Sequence, residues 1–364
     1  MLGPAIATRV AEQEQAKPGV NAMAEKYDAI VIGTGQSGPS LADRLDEEGQ
    51  KVAVLERHLY GGTCVNVGCV PTKALVASAR AVHMARRGKD FGVVLNGPVD
   101  VDMKRVKARK DEIVERGMTG VGNWMKGLSN TTVYEGHGRF EGPNKVRVNG
   151  DLLEADRIFI NVGGRALVPD IPGLHEVEYL TNSGMMDVDF LPDHLIIVGG
   201  SYISLEFAQM YRRFGSRVTV VERGRRLISR EDEDVSASIR EILEKDGVDI
   251  RLGTQVEGVE KRGAQVAVQI AVNGKAEEVI GSHLLMAVGR RPNTDDLGLD
   301  RAGVAVDDRG YVVVDDELRT NVSGIWAMGD CNGRGAFTHT SYNDFEIIAA
   351  NLFDNDPRRV SDRI

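Results

Sequence analysis

The chain has 364 residues, 42 of them glycine and 11 proline, and its 45 Lys and Arg against 54 Asp and Glu give a net charge of −9. The acidic balance argues against a nucleic-acid binder, which needs a basic face, and 42% apolar residues argue against a disordered polymer. No apolar stretch approaches the ~20 residues that cross a bilayer as a helix, so no membrane partner is expected.

Residues 1–24 lack the basic start and apolar stretch of a signal peptide and read as a flexible tail. Tyr27 to Gly33 is then a short apolar run ending in glycine. Gly33-x-Gly35-x-x-Gly38 follows, with a helical pattern over Leu41 to Glu48 and a second strand, Lys51 to Glu56, closing on an acid. The pattern returns 166 residues later. Leu195 to Val198 runs into Gly199-Gly200-Ser201, a helical stretch covers Tyr202 to Phe214, and Arg217 to Glu222 is the second strand. Glycine to acid is 23 residues in both copies, close to the ~20 of a dinucleotide-binding βαβ unit. The first glycine permits a tight turn, the second lets a pyrophosphate approach the backbone, and the third lets helix pack on strand. The helix start offers free N–H groups and partial positive charge to phosphate. The acid accepts hydrogen bonds from ribose hydroxyls. In the second copy Ser201 and Ser204 replace the second and third glycines. Glu222 there favours a free 2′-hydroxyl and hence NADH, whereas Arg223, Arg225 and Arg226 would suit a 2′-phosphate.

Between the copies lies Gly61-Gly62-Thr63-Cys64-Val-Asn-Val-Gly68-Cys69-Val-Pro71-Thr-Lys73, with a helical pattern from Ala74 to Arg87. Thiols near helix starts are expected to have lowered pKa values. On spacing alone three readings stand: a redox couple beside a bound dinucleotide, two buried structural cysteines, or half of a metal site. No other Cys or His cluster completes a zinc site. With three cysteines in all, a disulfide scaffold is set aside and a reducing cytoplasm is the default. The basic run Lys104, Arg105, Lys107, Arg109, Lys110 lies in a helical pattern with acids nearby and reads as a solvated helix face. Gln265 to Val272 alternates as a strand in a β-meander.

The GGTCVNVGCVPTK segment resembles the redox-active segment of the flavin-dependent pyridine nucleotide-disulfide oxidoreductases. These include glutathione reductase, dihydrolipoamide dehydrogenase and mercuric reductase; the wording is most similar to mercuric reductases. Further segments are similar in order: His137-Gly138-Arg-Phe140, Gly199 to Glu206, Val288 to Asn293, and Thr320 to Asp330. Asn161-Val-Gly163-Gly164 stands where the family usually has Ala-Thr-Gly.

The resemblance implies an α/β fold of two doubly wound Rossmann-like domains, the nicotinamide domain (166–288) inserted between two parts of the FAD domain (25–165 and 289–345). It implies FAD on Gly33, Gly35, Gly38, Glu56, Gly62, Thr63, Lys73, Gly138, Gly163, Asp330 and Thr338. It implies NAD(H) or NADP(H) on Gly199, Ser201, Tyr202, Ile203, Glu222, Arg223, Val256 and Gly289, with Tyr202 covering the nicotinamide site until coenzyme enters. Cys64 would attack substrate, Cys69 would sit against the flavin, and Lys73, paired with Glu206, would lie near flavin N5. By pattern alone, Lys73 and Glu206 are ordinary helix-surface residues. Cys331 is expected to pack near the flavin, and His339 to pack or hydrogen-bond near its ring. The implied acceptor is a small-molecule or protein disulfide, or Hg(II), and no resident metal is implied. A flavoprotein reducing quinone or oxygen without cycling its cysteines, and a redox-sensing binding module, are the competing classes. The family's third domain makes a homodimer and supplies a His–Glu pair. Nothing after Asp330 answers to it, so residues 346–364 read as a lead into a missing domain.

Overall fold

The computed structural model describes residues 23–272 and 274–363; of the expected tail, residues 1–22 lie outside them. The first sheet opens with β1 (Glu25–Ile32), whose Ala29, Ile30 and Val31 are fully buried. Helix α1 (Gly38–Glu47) starts three residues before the expected Leu41. Pro39 fits its first turn, where a missing N–H leaves no ladder bond broken. Leu41, Ala42 and Leu45 face the sheet. Strand β2 (Val52–Glu56) follows, then α2 (Gly62–Asn66), α3 (Cys69–Arg86) and α4 (Met103–Gly127). The sheet continues with β3 (Thr131–Glu135), β4 (Arg139–Gly142), β5 (Lys145–Val148) and β6 (Asp151–Ile160).

Two of these helices revise sequence expectations. Helix α3 begins at Cys69 rather than Ala74, which brings the second thiol into its first residue. In α4, Asp102 caps the helix by accepting from the Arg105 N–H at 3.0 Å. The basic run on α4 is only in part a solvated face. Lys110 is 4% exposed and paired with Asp111, and Arg109 donates to the Ala74 carbonyl at 2.9 Å, tying α4 to α3. The periodicity of charge does not distinguish a helix face turned to water from one wedged against a neighbouring helix.

A short strand, β7 (Gly164–Ala166), leaves the first sheet; α5 (Asn182–Met185) leads to the second. There β8 (His194–Val198), α6 (Tyr202–Phe214) and β9 (Arg217–Val221) repeat the βαβ pattern, with α7 (Glu233–Lys245) and β10 (Asp249–Arg251) after them. An antiparallel meander, β11 (Gln255–Arg262), β12 (Gln265–Val272) and β13 (Lys275–Gly281), precedes β14 (His283–Met286). The chain returns by β15 (Arg290–Pro292) to α8 (Leu299–Ala302), β16 (Ile325–Ala327) and α9 (Thr338–Ala349).

Strand order in the first sheet is β3-β2-β1-β6-β5-β4, with β16 parallel to the C-terminal half of β6. In the second it is β10-β9-β8-β14, all parallel. The fold is α/β, with two Rossmann-like units, and the strands of the second lie between β6 and β16 of the first. Closure of the first sheet by a strand from far along the chain rests on core burial. Phe159 and Trp326 stack at 5.0 Å across β6 and β16, and Ile158 and Ile325 are almost wholly buried, each contributing roughly 1.5–3 kcal/mol by leaving water. The two crossings pair as β7 and β15, antiparallel. Beyond α9, residues 358–363 fold back onto the first unit. The Val360 N–H donates to the Asp316 carbonyl at 2.8 Å, and Arg363 pairs with the buried Asp344.

Candidate active site

The C-terminal ends of β1, β2 and β6 surround a cavity of about 330 Å³. Gly33, Gly35, Glu56, Gly62, Thr63, Gly138 and Gly163 all line it, as the spacing of the motifs leads one to expect. The glycines do different jobs. A Cβ on Gly33 would stand 2.4 Å from the Asn161 carbonyl oxygen, and one on Gly38 would stand 2.2 Å from the Gly33 carbonyl oxygen. Both positions therefore exist to let chain approach chain. A Cβ on Gly35 would meet Asn161 Nδ2 at 3.4 Å, an ordinary contact, so the chain's own packing does not demand a glycine there. Glu56 accepts from the Thr34 N–H at 3.0 Å, the Thr34 hydroxyl, and the His58 N–H at 2.9 Å, which fixes its carboxylate on the cavity wall.

The cysteine segment packs directly on this loop. Gly62 has φ +59, and a Cβ there would stand 2.9 Å from the Gly35 Cα. Cys64 lies in α2 and Cys69 begins α3; both are free thiols, Cys64 half-buried and Cys69 exposed. Burial pushes the Cys64 thiol up to about 12, and the neighbouring Cys69 adds to the shift. The expectation of a lowered value is therefore wrong for Cys64. A five-residue helix carries little dipole, and desolvation of the thiolate outweighs it. Lys73, on the same face of α3 as Cys69, forms an ion pair with Glu206 of α6. The two residues that pattern alone left as surface positions thus meet across the two units.

In the sequence Arg290 is part of the return crossing, and the motif gives it no role of its own. It lies on the cavity wall, bonds the Gly164 carbonyl and donates to the Thr63 hydroxyl at 3.3 Å. Its Nε is 3.5 Å from Asp330, yet this buried atom has no hydrogen-bond acceptor among the described residues. Burial raises the Asp330 carboxyl above its usual range, and Arg290 opposes that shift. An arginine directly after the left-handed Gly289 was the available signal. Cys331 is fully buried, its thiol directed to the Met328 and Ile160 carbonyls, and His339 stacks on Phe337 at 5.5 Å. Thr338 opens α9.

The second loop is built on the same plan but outside this cavity. A Cβ on Gly199 would stand 2.3 Å from the Ala287 carbonyl oxygen, matching Gly33 and Asn161. Gly200 lies against the Glu222 side chain, which accepts from the Gly224 N–H. Ser201 stands at the N-terminus of α6 without a side-chain cap bond. The fully buried Ser204 donates to the Ala287 carbonyl at 3.3 Å. Ile203 packs against the core of the second unit rather than toward open space. Val256 is half-buried in β11, and Arg223 is exposed. Tyr202 meets Phe337 at 5.6 Å. Burial raises its phenol; Arg290 opposes the rise, while Asp330, Glu206 and Cys69 add to it. Residues of both units therefore converge around this ring.

Residues 27–344 match the family described as pyridine nucleotide-disulphide oxidoreductase. The chain belongs to this family. Among curated relatives, the probable pyridine nucleotide-disulfide oxidoreductase RclA of Escherichia coli (strain K12) is 37% identical over 345 residues, 93% of this chain and 73% of RclA. The dihydrolipoyl dehydrogenase of Thermus scotoductus is 35% identical, covering 89% of this chain and 70% of its own. The mercuric reductase of Streptomyces lividans is 36% identical, covering 92% and 71%. The solved HOCl-induced flavoprotein disulfide reductase RclA from Escherichia coli superposes with a TM-score of 0.84 at 36% identity, over 93% of this chain and 73% of that one. The resemblance to mercuric reductases and dihydrolipoamide dehydrogenases is thus joined by RclA, which the sequence motifs did not single out.

Proposed function

We propose that this oxidoreductase binds FAD in the glycine-lined cavity and passes electrons from a nicotinamide coenzyme to a Cys64–Cys69 disulfide. An external disulfide or a thiophilic metal ion would be the final acceptor. The observation that carries the reading is the joining of three features: the cysteine segment pressed on the first dinucleotide loop at Gly62 and Gly35, the Lys73–Glu206 pair beside it, and Arg290 on the cavity wall, bonded to Thr63 and facing Asp330.

The residues present fit the flavin nucleotide. Glu56 suits ribose hydroxyls, and Gly35 leaves room for a diphosphate. Among the described residues, the N–H groups of Gly35, Gln36, Ser37 and Ser40 donate no hydrogen bond and suit phosphate oxygens. The unpaired Nε of Arg290 suits a further anionic or polyol oxygen. When bound, FAD supplies a two-electron carrier between nicotinamide and sulfur. Lys73, held by Glu206, places a fixed positive charge beside the thiols, suited to stabilising negative charge that develops there. Two electrons and two protons convert the Cys64–Cys69 disulfide to two thiols. Cys64, as thiolate, attacks one sulfur of the acceptor disulfide, and the other sulfur leaves as thiolate. Cys69 then attacks the Cys64 sulfur, releasing the second acceptor thiol and restoring the internal disulfide. Because burial holds the Cys64 thiol high, a proton acceptor is needed at the moment of attack. For a metal acceptor the two thiolates serve as soft ligands. One RclA structure is described as a Cu(II) complex, so Cu(II) joins Hg(II) among the ions to assay.

Glu222, with its carboxylate turned to the start of the second loop, supports NADH over NADPH. The exposed Arg223 supports the opposite, and the ratio of kcat/KM for the two coenzymes decides. The central test loads the chain with FAD and adds one equivalent of NADH without oxygen. A gain of two titratable thiols, absent in Cys69→Ser, is expected. Unchanged disulfide reduction by Cys64→Ser would overturn the role given to the thiols, and quinone or oxygen reduction that Cys64→Ser leaves intact, with no disulfide turnover in the parent chain, would favour the competing class.

A further inference from the structure

Asp330 sits in a one-turn segment, Gly329–Asn332, between two backbone anchors. Before it the Met328 N–H donates to the Ile160 carbonyl at 2.8 Å, and after it the Val312 N–H donates to the Cys331 carbonyl at 2.9 Å. Between the anchors the turn is tied to a side chain. The Gly329 N–H, one residue before Asp330, donates to Oδ2 of Asp344 in α9 at 2.7 Å, and the same oxygen accepts from Asn332 Nδ2 at 2.9 Å. Asp344 is 2% exposed and lines no part of the cavity. A carboxylate so deep is costly unless it is paired.

Its partner comes from residues 358–363. Arg363 bonds Oδ1 of Asp344 and donates from Nε to the Asn343 Oδ1 at 2.7 Å. The rest of that segment is held from outside, with the Val360 N–H on the Asp316 carbonyl and the Ser361 N–H on the Asp316 carboxylate at 3.2 Å. Burial raises the Asp344 carboxyl above its usual range; Arg363 opposes most strongly, then the Gly329 N–H and Asn332. The one other ionisable group that acts with Asp344 is Cys331 of the turn, which burial pushes up to about 12 and so keeps neutral. From α1 the group facing this part of α9 is the neutral Ser37 hydroxyl, bonded to Ser341.

We propose that Asp344 is a positioning residue that fixes the Asp330 turn for the flavin nucleotide, and that Arg363 keeps it charged, so that the docking of residues 358–363 governs flavin affinity. The inference rests on the FAD reading above and concerns affinity rather than chemistry. A carboxylate holds the Gly329 N–H and the Asn332 amide with charge-assisted bonds. A neutral carboxyl accepts more weakly and adds an O–H that needs a partner of its own. Affinity that depends on the carboxylate is therefore present above its pKa and is lost as pH falls through it. Removing Arg363 raises that pKa, so the loss begins at higher pH.

Flavin fluorescence, titrated into chains stripped of flavin between about pH 5 and 8.5, reads the FAD dissociation constant and its acid limb. Asp344→Asn is expected to raise the constant about tenfold at the alkaline end, the scale of one charge-assisted bond. Arg363→Gln is expected to stay within about threefold there and to move the acid limb up by at least about one pH unit, the usual effect of losing an opposite charge. In chains that also carry Asp344→Asn, Arg363→Gln should no longer move the limb. Asp330, whose carboxyl burial also raises, titrates in every variant and cancels in the comparison. A merely structural Arg363 predicts equal weakening at every pH. That result, a limb that stays in place, or a shift that persists beside Asp344→Asn overturns the inference. Should Asp344→Asn fail to fold, Arg363→Lys decides. A limb nearer the parent's than that of Arg363→Gln supports the proposal, and one that matches Arg363→Gln overturns it. Failure of the parent chain to take up FAD would instead defeat the flavin reading itself.

Discussion

The two nucleotide loops share one backbone plan and differ in how they are closed. In each, the loop's first glycine is pressed on the carbonyl at the end of the neighbouring parallel strand, Asn161 for Gly33 and Ala287 for Gly199. The Gly33 N–H bonds Leu55 at 2.7 Å, and the Gly199 N–H bonds Val221 at 2.9 Å. The third position separates them. At Gly38 a Cβ has no room, whereas Ser204 keeps its Cβ and returns a hydrogen bond to Ala287. The first loop is therefore closed by backbone contact and a separate polar residue, Asn161. The second is closed by its own helix side chain. A glycine fingerprint is thus two separable demands, close approach at the first position and local packing at the third, and the second demand has more than one solution.

The largest effect should come from forcing one solution on the other loop. Gly38→Ser puts a side chain 2.2 Å from the Gly33 carbonyl if nothing moves, and a loss of about 3 kcal/mol is expected in urea unfolding, at the upper end for overpacking. Tolerance of this change would show that the loops are interchangeable. Next in size is the contrast between the thiols that only the first loop carries. With its pKa raised to about 12, Cys64 stays protonated at pH 8. Iodoacetamide should modify it at least tenfold more slowly than the exposed Cys69, and its rate should climb about tenfold per pH unit from 8 to 10. Equal rates, followed by peptide mass, would remove burial as the controlling factor. The acids should then divide the ligands. Glu56→Ala is expected to weaken FAD about tenfold and leave the KM for NADH alone, and Glu222→Ala the reverse, on the scale of a lost hydrogen bond to a charged group. Crossed effects in isothermal titration would break the assignment of one nucleotide to each loop. Smallest is Ser204→Ala, about 1 kcal/mol for one hydroxyl bond to a carbonyl, read as a lower thermal midpoint with FAD affinity unchanged.

The parts legible in the sequence are those that backbone geometry must encode locally. Gly33, Gly38 and Gly199 could be read because no other residue allows those approaches, and the acids because they close a fixed βαβ length. The start of α1 was read late because Gly38 and Pro39 look like a turn, although both suit a helix's first residues. The sequence motifs give Arg290 and Asn161 no task because theirs arise from neighbours more than 120 residues away, Gly164 and Thr63 for one, Gly33 and Ser37 for the other. Lys110 was misplaced because charge patterning carries no information about what lies against a helix. The thiols were read correctly as to place and wrongly as to the ionisation of Cys64, since the dipole argument is local and desolvation is not.

The contact of Gly62 with Gly35 binds two motifs into one unit of inheritance. The constraint runs one way: a side chain on Gly62 would strike the Gly35 backbone, whereas one on Gly35 would reach only Asn161. A graft that moved the cysteine segment onto a different dinucleotide fold would have to carry Gly62 with it, or the thiols would be lifted away from the nucleotide by about the width of a methyl group. Descent, on this view, would guard the glycine of the cysteine segment more strictly than the one it rests on.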